Sequence, residues 1–226
     1  MRTNKKVIKP QKSVFSFVVD GECEYWYLQM LKDNEKSQKI HLSPDMYKPR
    51  TLEEQYRKAV EFAKESEKVF WIIDFDVINK ERREAKRGQK TKLTKFKEYY
   101  QRAKRHSNIE ITVNNPCLEY WFLQHFKQTS KFYDAYEPHL KKDLQKVLPN
   151  YAKTEKYFVK SNPDIYKRLK PNLQTAIFNS EKLGDFDFEK TQTGITEMYK
   201  IFNELGLIER KQTRPQANTV LVCGKQ

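Results

Sequence analysis

The 226 residues of the chain carry 44 Lys and Arg against 30 Asp and Glu, a formal net charge of +14. With 38% apolar and 13% aromatic residues, and only 6 glycines and 9 prolines, about half of average Gly and Pro usage, collagen-like, low-complexity and fully disordered classes are excluded. The length fits one large domain, or one domain with a helical appendage, and suffices for a real core.

The first twelve residues form a basic arm with Arg2, Lys5, Lys6, Lys9 and Lys12. From Ser13 to Asp20, Val14, Phe15, Phe17, Val18 and Val19 make a nearly continuous apolar run, the pattern of a strand buried on both faces of a parallel sheet. Gly21 breaks it. Glu22 to Asn34 repeats Tyr27, Leu28 and Leu31 at helical spacing. A weak strand follows near Lys39 to Leu42, and Pro44 and Pro49 mark a loop. Leu52 to Glu65 sets Leu52, Tyr56, Ala59, Val60 and Ala63 on one helical face, and Val69 to Ile73 is a second buried strand.

The segment beyond that strand reads as a loop around Gly88 that becomes helical from Leu93 to Lys104, followed by a strand over Ile109 to Val113. Asn115 is expected to cap a helix whose first residue is Pro116, where a missing amide proton costs nothing, and which runs on over Cys117 to Phe126. Tyr136 to Leu148, Asp164 to Leu169, Leu173 to Leu183 and Ile195 to Leu205 all read helical. The alternation up to Phe126 predicts an α/β fold, a mostly parallel sheet flanked by helices, with a helical C-terminal part. The expected organisation is a basic arm over 1–12, an α/β domain over 13–130, and a helical part over 131–226 packed on it.

No apolar stretch approaches the roughly 18 to 20 residues needed to cross a bilayer. The run that ends at Asp20 continues into Glu22, Glu24 and Trp26 and not into a small-residue cleavage site, so a cytoplasmic protein without a membrane partner is expected. Cys23, Cys117 and Cys223 are widely spaced and odd in number, which suits reduced thiols. His41, His106, His125 and His139 form no ligand-spaced cluster.

The positive charge is concentrated. Lys80 to Arg105 holds twelve Lys or Arg residues against Glu81, Glu84 and Glu98, with Phe96, Tyr99 and Tyr100 interleaved at helical spacing. Such a segment attracts polyanions, and nucleic acid is the partner the charge favours over a merely solvated face. The candidate phosphate-binding side chains are Arg82, Arg83, Lys86, Arg87, Lys90 and Lys92, with Lys153 near Asn162-Pro163 as a further one.

A second feature is acidic. Asp74-Phe75-Asp76 closes the Val69 to Ile73 strand, and residues two apart on a strand project to one side. Asp20 ends the first strand, Glu22 and Glu24 open the helix after it, and Glu119 lies in the first turn after the Ile109 to Val113 strand. Ligand sites of open α/β sheets lie beyond the carboxyl ends of strands. Carboxylates crowded there repel one another unless hard cations neutralise them, and Mg²⁺ or Mn²⁺ would also reconcile an acidic pocket with a phosphodiester. Asp20, Glu24, Asp74 and Asp76 are the expected metal ligands, and Glu119 joins them as a candidate catalytic residue.

The order apolar strand, acid-Gly, helix, apolar strand, DxD is the layout of the Toprim fold. Val18-Val19-Asp20-Gly21-Glu22-Cys23-Glu24, Ile73-Asp74-Phe75-Asp76 and Asn115-Pro116-Cys117-Leu118-Glu119-Tyr120-Trp121 resemble the RloB-like family of bacterial Toprim-type proteins, and the similarity continues through Tyr166, Ala176 and Asn179. The resemblance implies a metal-dependent nuclease of RNA or DNA, used in phage defence and worked by an ATPase partner. The Toprim pattern has Glu before the glycine where this chain has Asp20, one methylene shorter, so that a bridging water, Glu22 or Glu24 would complete the ligation. A nucleic-acid-binding or regulatory module without hydrolysis is the alternative.

Overall fold

A computed structural model of the chain describes residues 14–19, 21–42, 51–84 and 91–207, with backbone alone over 81–84. Five strands form one sheet in the order β2-β1-β3-β4-β5: β1 (Phe15–Val18), β2 (Ile40–His41), β3 (Lys68–Asp74), β4 (Ile109–Asn115) and β5 (Ile195–Thr196). The first four are parallel; β5 runs antiparallel to β4. Val18 lies beside Trp71, and Asp74 beside Asn114, so the central strands end close to one edge.

The connecting helices are α1 (Glu22–Asn34), α2 (Leu52–Phe62), α3 (Asp76–Glu84), α4 (Lys92–Ala103) and α5 (Leu118–Gln124), and the C-terminal part adds α6 (Lys141–Val147), α7 (Ile165–Leu169), α8 (Leu173–Glu181) and α9 (Tyr199–Leu205). Strand parity divides the core. Phe15, Phe17, Val19, Phe70 and Ile72 pack with α1, α5 and the C-terminal helices, while Val18, Trp71, Ile73 and Phe75 pack with α2 and α4. The fold is therefore α/β with helices on both faces of a mostly parallel sheet. Among the described residues no helix is long and apolar enough to cross a membrane.

Several boundaries differ from the sequence reading. Tyr136 to Leu148 is not one helix: a wide turn over Tyr136–Leu140 precedes α6, with Glu137 extended at φ −97° and ψ 148°. Pro138 is the cause, since a residue before proline is driven out of the helical region. Ile195 and Thr196 form a strand and not the start of a helix; Thr196 Oγ1 bonds Asn114 Oδ1 at 2.7 Å, and β-branched residues suit a sheet. Asn115 stays in β4 and caps nothing, donating instead to the carbonyls of Thr191 and Thr193 at 2.9 and 2.8 Å. The following Pro116 again favours the extended backbone, and α5 begins at Leu118.

Candidate functional site

Three parallel strands end at the same edge, and an acid stands at or just beyond each. Glu24 is in the first turn of α1 after β1, Asp74 is the last residue of β3, and Glu119 is in the first turn of α5 after β4. Asp74 shares its strand parity with Phe70 and Ile72. It consequently faces the α1 and α5 side, where Glu24 and Glu119 lie.

Asp74 Oδ1 accepts from Asn114 Nδ2 and Oδ2 from the Leu118 amide, each at 3.2 Å. The first bond crosses between neighbouring strands and the second ties β3 to the start of α5, so the carboxylate is held from two sides. Glu24, 6% exposed, is folded back over Gly21, where an added Cβ would come within 2.8 Å of its Oε2. Glu119 is fully buried: Oε1 accepts from the Tyr151 hydroxyl at 2.7 Å, and Oε2 is 3.0 Å from Lys153 Nζ. That second contact is an ion pair without hydrogen-bond alignment.

The electrostatics follow from burial and crowding. Burial, then the charge of Glu119, pushes Glu24 up to about 7, with hydrogen bonding from its own backbone and from Asp74 acting against the rise. Asp74 is held well above the usual carboxylate range by burial, then by Glu24, Glu119 and Asp76. The Lys153 ammonium opposes both shifts. Burial disfavours the charge of Lys153 itself, but Glu119 and the acidic groups around it hold its pKa above the ordinary lysine range. Cys23 and Cys117 are pushed up by burial and then by Glu119, which keeps them as thiols of little nucleophilic power.

Asp76 does not stand two residues along a strand from Asp74. The strand stops at Asp74, Phe75 turns into the second core against Phe96 and Phe186, and Asp76 is the first residue of α3, its Oδ1 accepting from the Val77 amide at 2.7 Å. Its charge nevertheless reaches Asp74. Asp20, Lys86, Arg87 and Lys90 lie outside the described residues, as do the side chains of Arg82 and Arg83. Lys92 opens α4 on the surface, whereas Lys153 sits at the acidic cluster, 4.3 Å above the Tyr136 ring. Phe96 and Tyr100 face the core and leave no aromatic comb for bases.

Tyr151, Asn114 and Tyr136 belong to the site without having been singled out. Tyr151 is 32 residues from Glu119, and the turn that returns it, with Asn150 at φ 61°, carries no periodic signal. Among the described residues no three His, Cys, Asp or Glu side chains are grouped so as to hold a metal ion by themselves.

No curated protein and no solved structure matches the chain. A family model described as RloB-like protein matches residues 15–205, a span that includes Glu24, Asp74, Asp76 and Glu119 and extends to the end of α9. With most of its length matched, the chain belongs to the RloB-like family.

Proposed function

We propose that the protein is a nuclease that hydrolyses phosphodiesters of RNA or DNA with Mg²⁺ or Mn²⁺ at the carboxylate cluster. One observation carries the reading: Glu24, Asp74 and Glu119 are gathered at the carboxyl edge of a parallel sheet, and two of them resist ionisation there. Mutual repulsion of that kind, maintained by burial, is characteristic of sites whose charge is completed by a ligand. The donors are all oxygen. Mg²⁺ ordinarily takes one or two carboxylates and leaves its other positions to water and substrate phosphate, so Glu24 and Asp74 fit it without a three-carboxylate cage.

When bound, such an ion supplies an activated water and charge stabilisation at the phosphate. The side chains do the rest. Asn114 and the Leu118 amide orient Asp74, Tyr151 fixes Glu119, and Asp76 adds negative charge at the head of α3. The basic segment from Lys80 to Arg105 would hold the remainder of the nucleic acid through phosphates. A role in phage defence beside an ATPase partner belongs to the same reading and rests on the family resemblance. The second reading, a nucleic-acid-binding or regulatory module without hydrolysis, is favoured by one observation: a lysine already stands at the carboxylates.

The test is paired cleavage and affinity on labelled RNA and DNA, with and without Mg²⁺ or Mn²⁺ and with the ATPase partner present. Metal-dependent cleavage that falls at least about a hundredfold in Asp74→Asn, with affinity retained, is expected. Binding without metal-dependent cleavage in the parent protein would establish the second reading instead.

A further inference from the structure

Lys153 and Tyr151 reach the same carboxylate from one short segment. Tyr151 occupies Oε1 of Glu119 by hydrogen bond, which leaves Oε2 for the ammonium at 3.0 Å. Tyr136 covers the ammonium on another side, with the ring centroid 4.3 Å away. A solvated surface lysine has no such setting: its carboxylate partner is fully buried, yet the lysine side chain keeps 38% of its surface exposed. One end of this ion pair is fixed in the protein, and the other borders solvent. The Lys153 charge is also felt at Glu24 and Asp74, so a single amine serves several acids.

We propose that Lys153 is a resident cation of the carboxylate cluster, a positioning residue that acts through Glu119 and competes with the divalent ion for the cluster's negative charge. This rests on the metal-dependent reading above and goes beyond it, because it makes metal loading and the lysine position mutually exclusive or mutually weakening. Two positive centres near one another in a partly desolvated site repel strongly, the more so as one is divalent. Lys153 has the reach and the exposure of a group that leaves Glu119 for solvent or for a substrate phosphate when the ion enters. Competition of this kind is reciprocal: what the lysine costs the ion, the ion costs the Lys153–Glu119 pair.

The experiment is direct Mn²⁺ binding to the full chain, read from the loss of the free-ion electron paramagnetic resonance signal, for the parent protein, Lys153→Met, Lys153→Arg and Asp74→Asn. Lys153→Met is expected to bind Mn²⁺ about tenfold tighter than the parent, Lys153→Arg to bind like the parent, and Asp74→Asn to lose the site. A lysine that serves structure alone predicts unchanged or weaker Mn²⁺ binding in Lys153→Met, and that result would overturn the proposal while leaving the nuclease reading intact. Absence of Mn²⁺ binding in both the parent and Lys153→Met would overturn both.

A second measurement needs no substitution. Amine labelling of the parent protein, quantified on the peptide that contains Lys153, should rise severalfold when Mn²⁺ is added. Unchanged labelling under conditions where Mn²⁺ is bound would show that the lysine and the ion do not compete.

Discussion

The hydroxyl of Tyr151 donates to Oε1 of Glu119 at 2.7 Å, tying the loop after α6 to the first turn of α5. Both residues are buried, at 2% and 0% exposure. Removing the hydroxyl leaves a buried carboxylate oxygen without its donor, and the penalty is that of an unsatisfied polar group. Tyr151→Phe should therefore lose about 1–3 kcal/mol in urea unfolding. A loss under about 0.5 kcal/mol, the range of an ordinary surface substitution, would show that the bond contributes little to the fold.

Two buried groups tie stability to pH in opposite senses. Glu24 titrates at about 7 in the fold against an ordinary 4.5. The unfolded chain releases that proton first, so the native state holds more protons between those values and stability falls as pH rises through the window. His125 is lowered to about 4 from 6.5 by burial, with the Trp121 carbonyl, 3.0 Å from its Nδ1, acting the other way. Here the unfolded chain takes up the proton first as pH drops, so stability rises with pH from about 4 to 6.5. Each limb is on the order of 3 kcal/mol at 1.36 kcal/mol per unit.

In metal-free buffer the falling limb of Glu24, joined by that of Asp74, outweighs the rising limb of His125, and the parent stability should decline from pH 4.5 to 6.5. Glu24→Gln should make that decline shallower and His125→Asn should make it steeper. Urea midpoints measured across that range check both. Parallel profiles for the two variants would remove both assignments.

The strands and the amphipathic helices were legible because apolar periodicity reports burial, and β1, β3 and β4 are buried nearly throughout. The edge at which acids collect followed from the topology, and Glu24, Asp74 and Glu119 were named from it. The turn after β3 was not legible. Asp76 belongs to a helix because Phe75 is drawn into the second core and the Asp76 amide bonds the Pro116 carbonyl at 3.0 Å, a contact between segments 40 residues apart that local pattern does not encode. The same limit hid Tyr151 and the pairing of Lys153 with Glu119, since both depend on how the C-terminal helical part folds back on α5.

The basic segment should bind through phosphates alone. On α4, Phe96 and Tyr100 are core residues, and Arg102 and Lys104 lie over the rings of Tyr99 and Tyr100, so base stacking has no platform there. Replacing Arg82, Arg83, Lys86 and Arg87 by Ala should weaken binding alike for unrelated sequences and flatten its salt dependence, by about 0.7–0.9 in log–log slope per lost phosphate contact. An unchanged slope in filter-binding measurements would move the nucleic-acid surface elsewhere.

Gly21 separates the site from the scaffold. Its backbone, at φ −148° and ψ 174°, is extended and open to any residue, so conformation does not demand glycine there. Space does: a Cβ would stand 2.8 Å from Glu24 Oε2 and 3.9 Å from its Cδ, with no other atom of the described residues beyond Gly21's chain neighbours within 4 Å. Among the described residues, Gly21→Ala must consequently displace the end of the Glu24 side chain and little else. Because that end is flexible, the change in unfolding free energy should stay within about 1 kcal/mol. Because the carboxylate is a proposed ligand whose position matters at the level of an ångström, Mn²⁺ affinity and cleavage should fall tenfold or more, on the order of what small misplacements cost elsewhere. Stability and Mn²⁺ binding measured on the same preparation distinguish the outcomes. A variant that is as stable as the parent and binds Mn²⁺ equally well would mean that Glu24 is not a ligand, whereas a strongly destabilised one would mean that Gly21 serves the packing of α1 against the sheet.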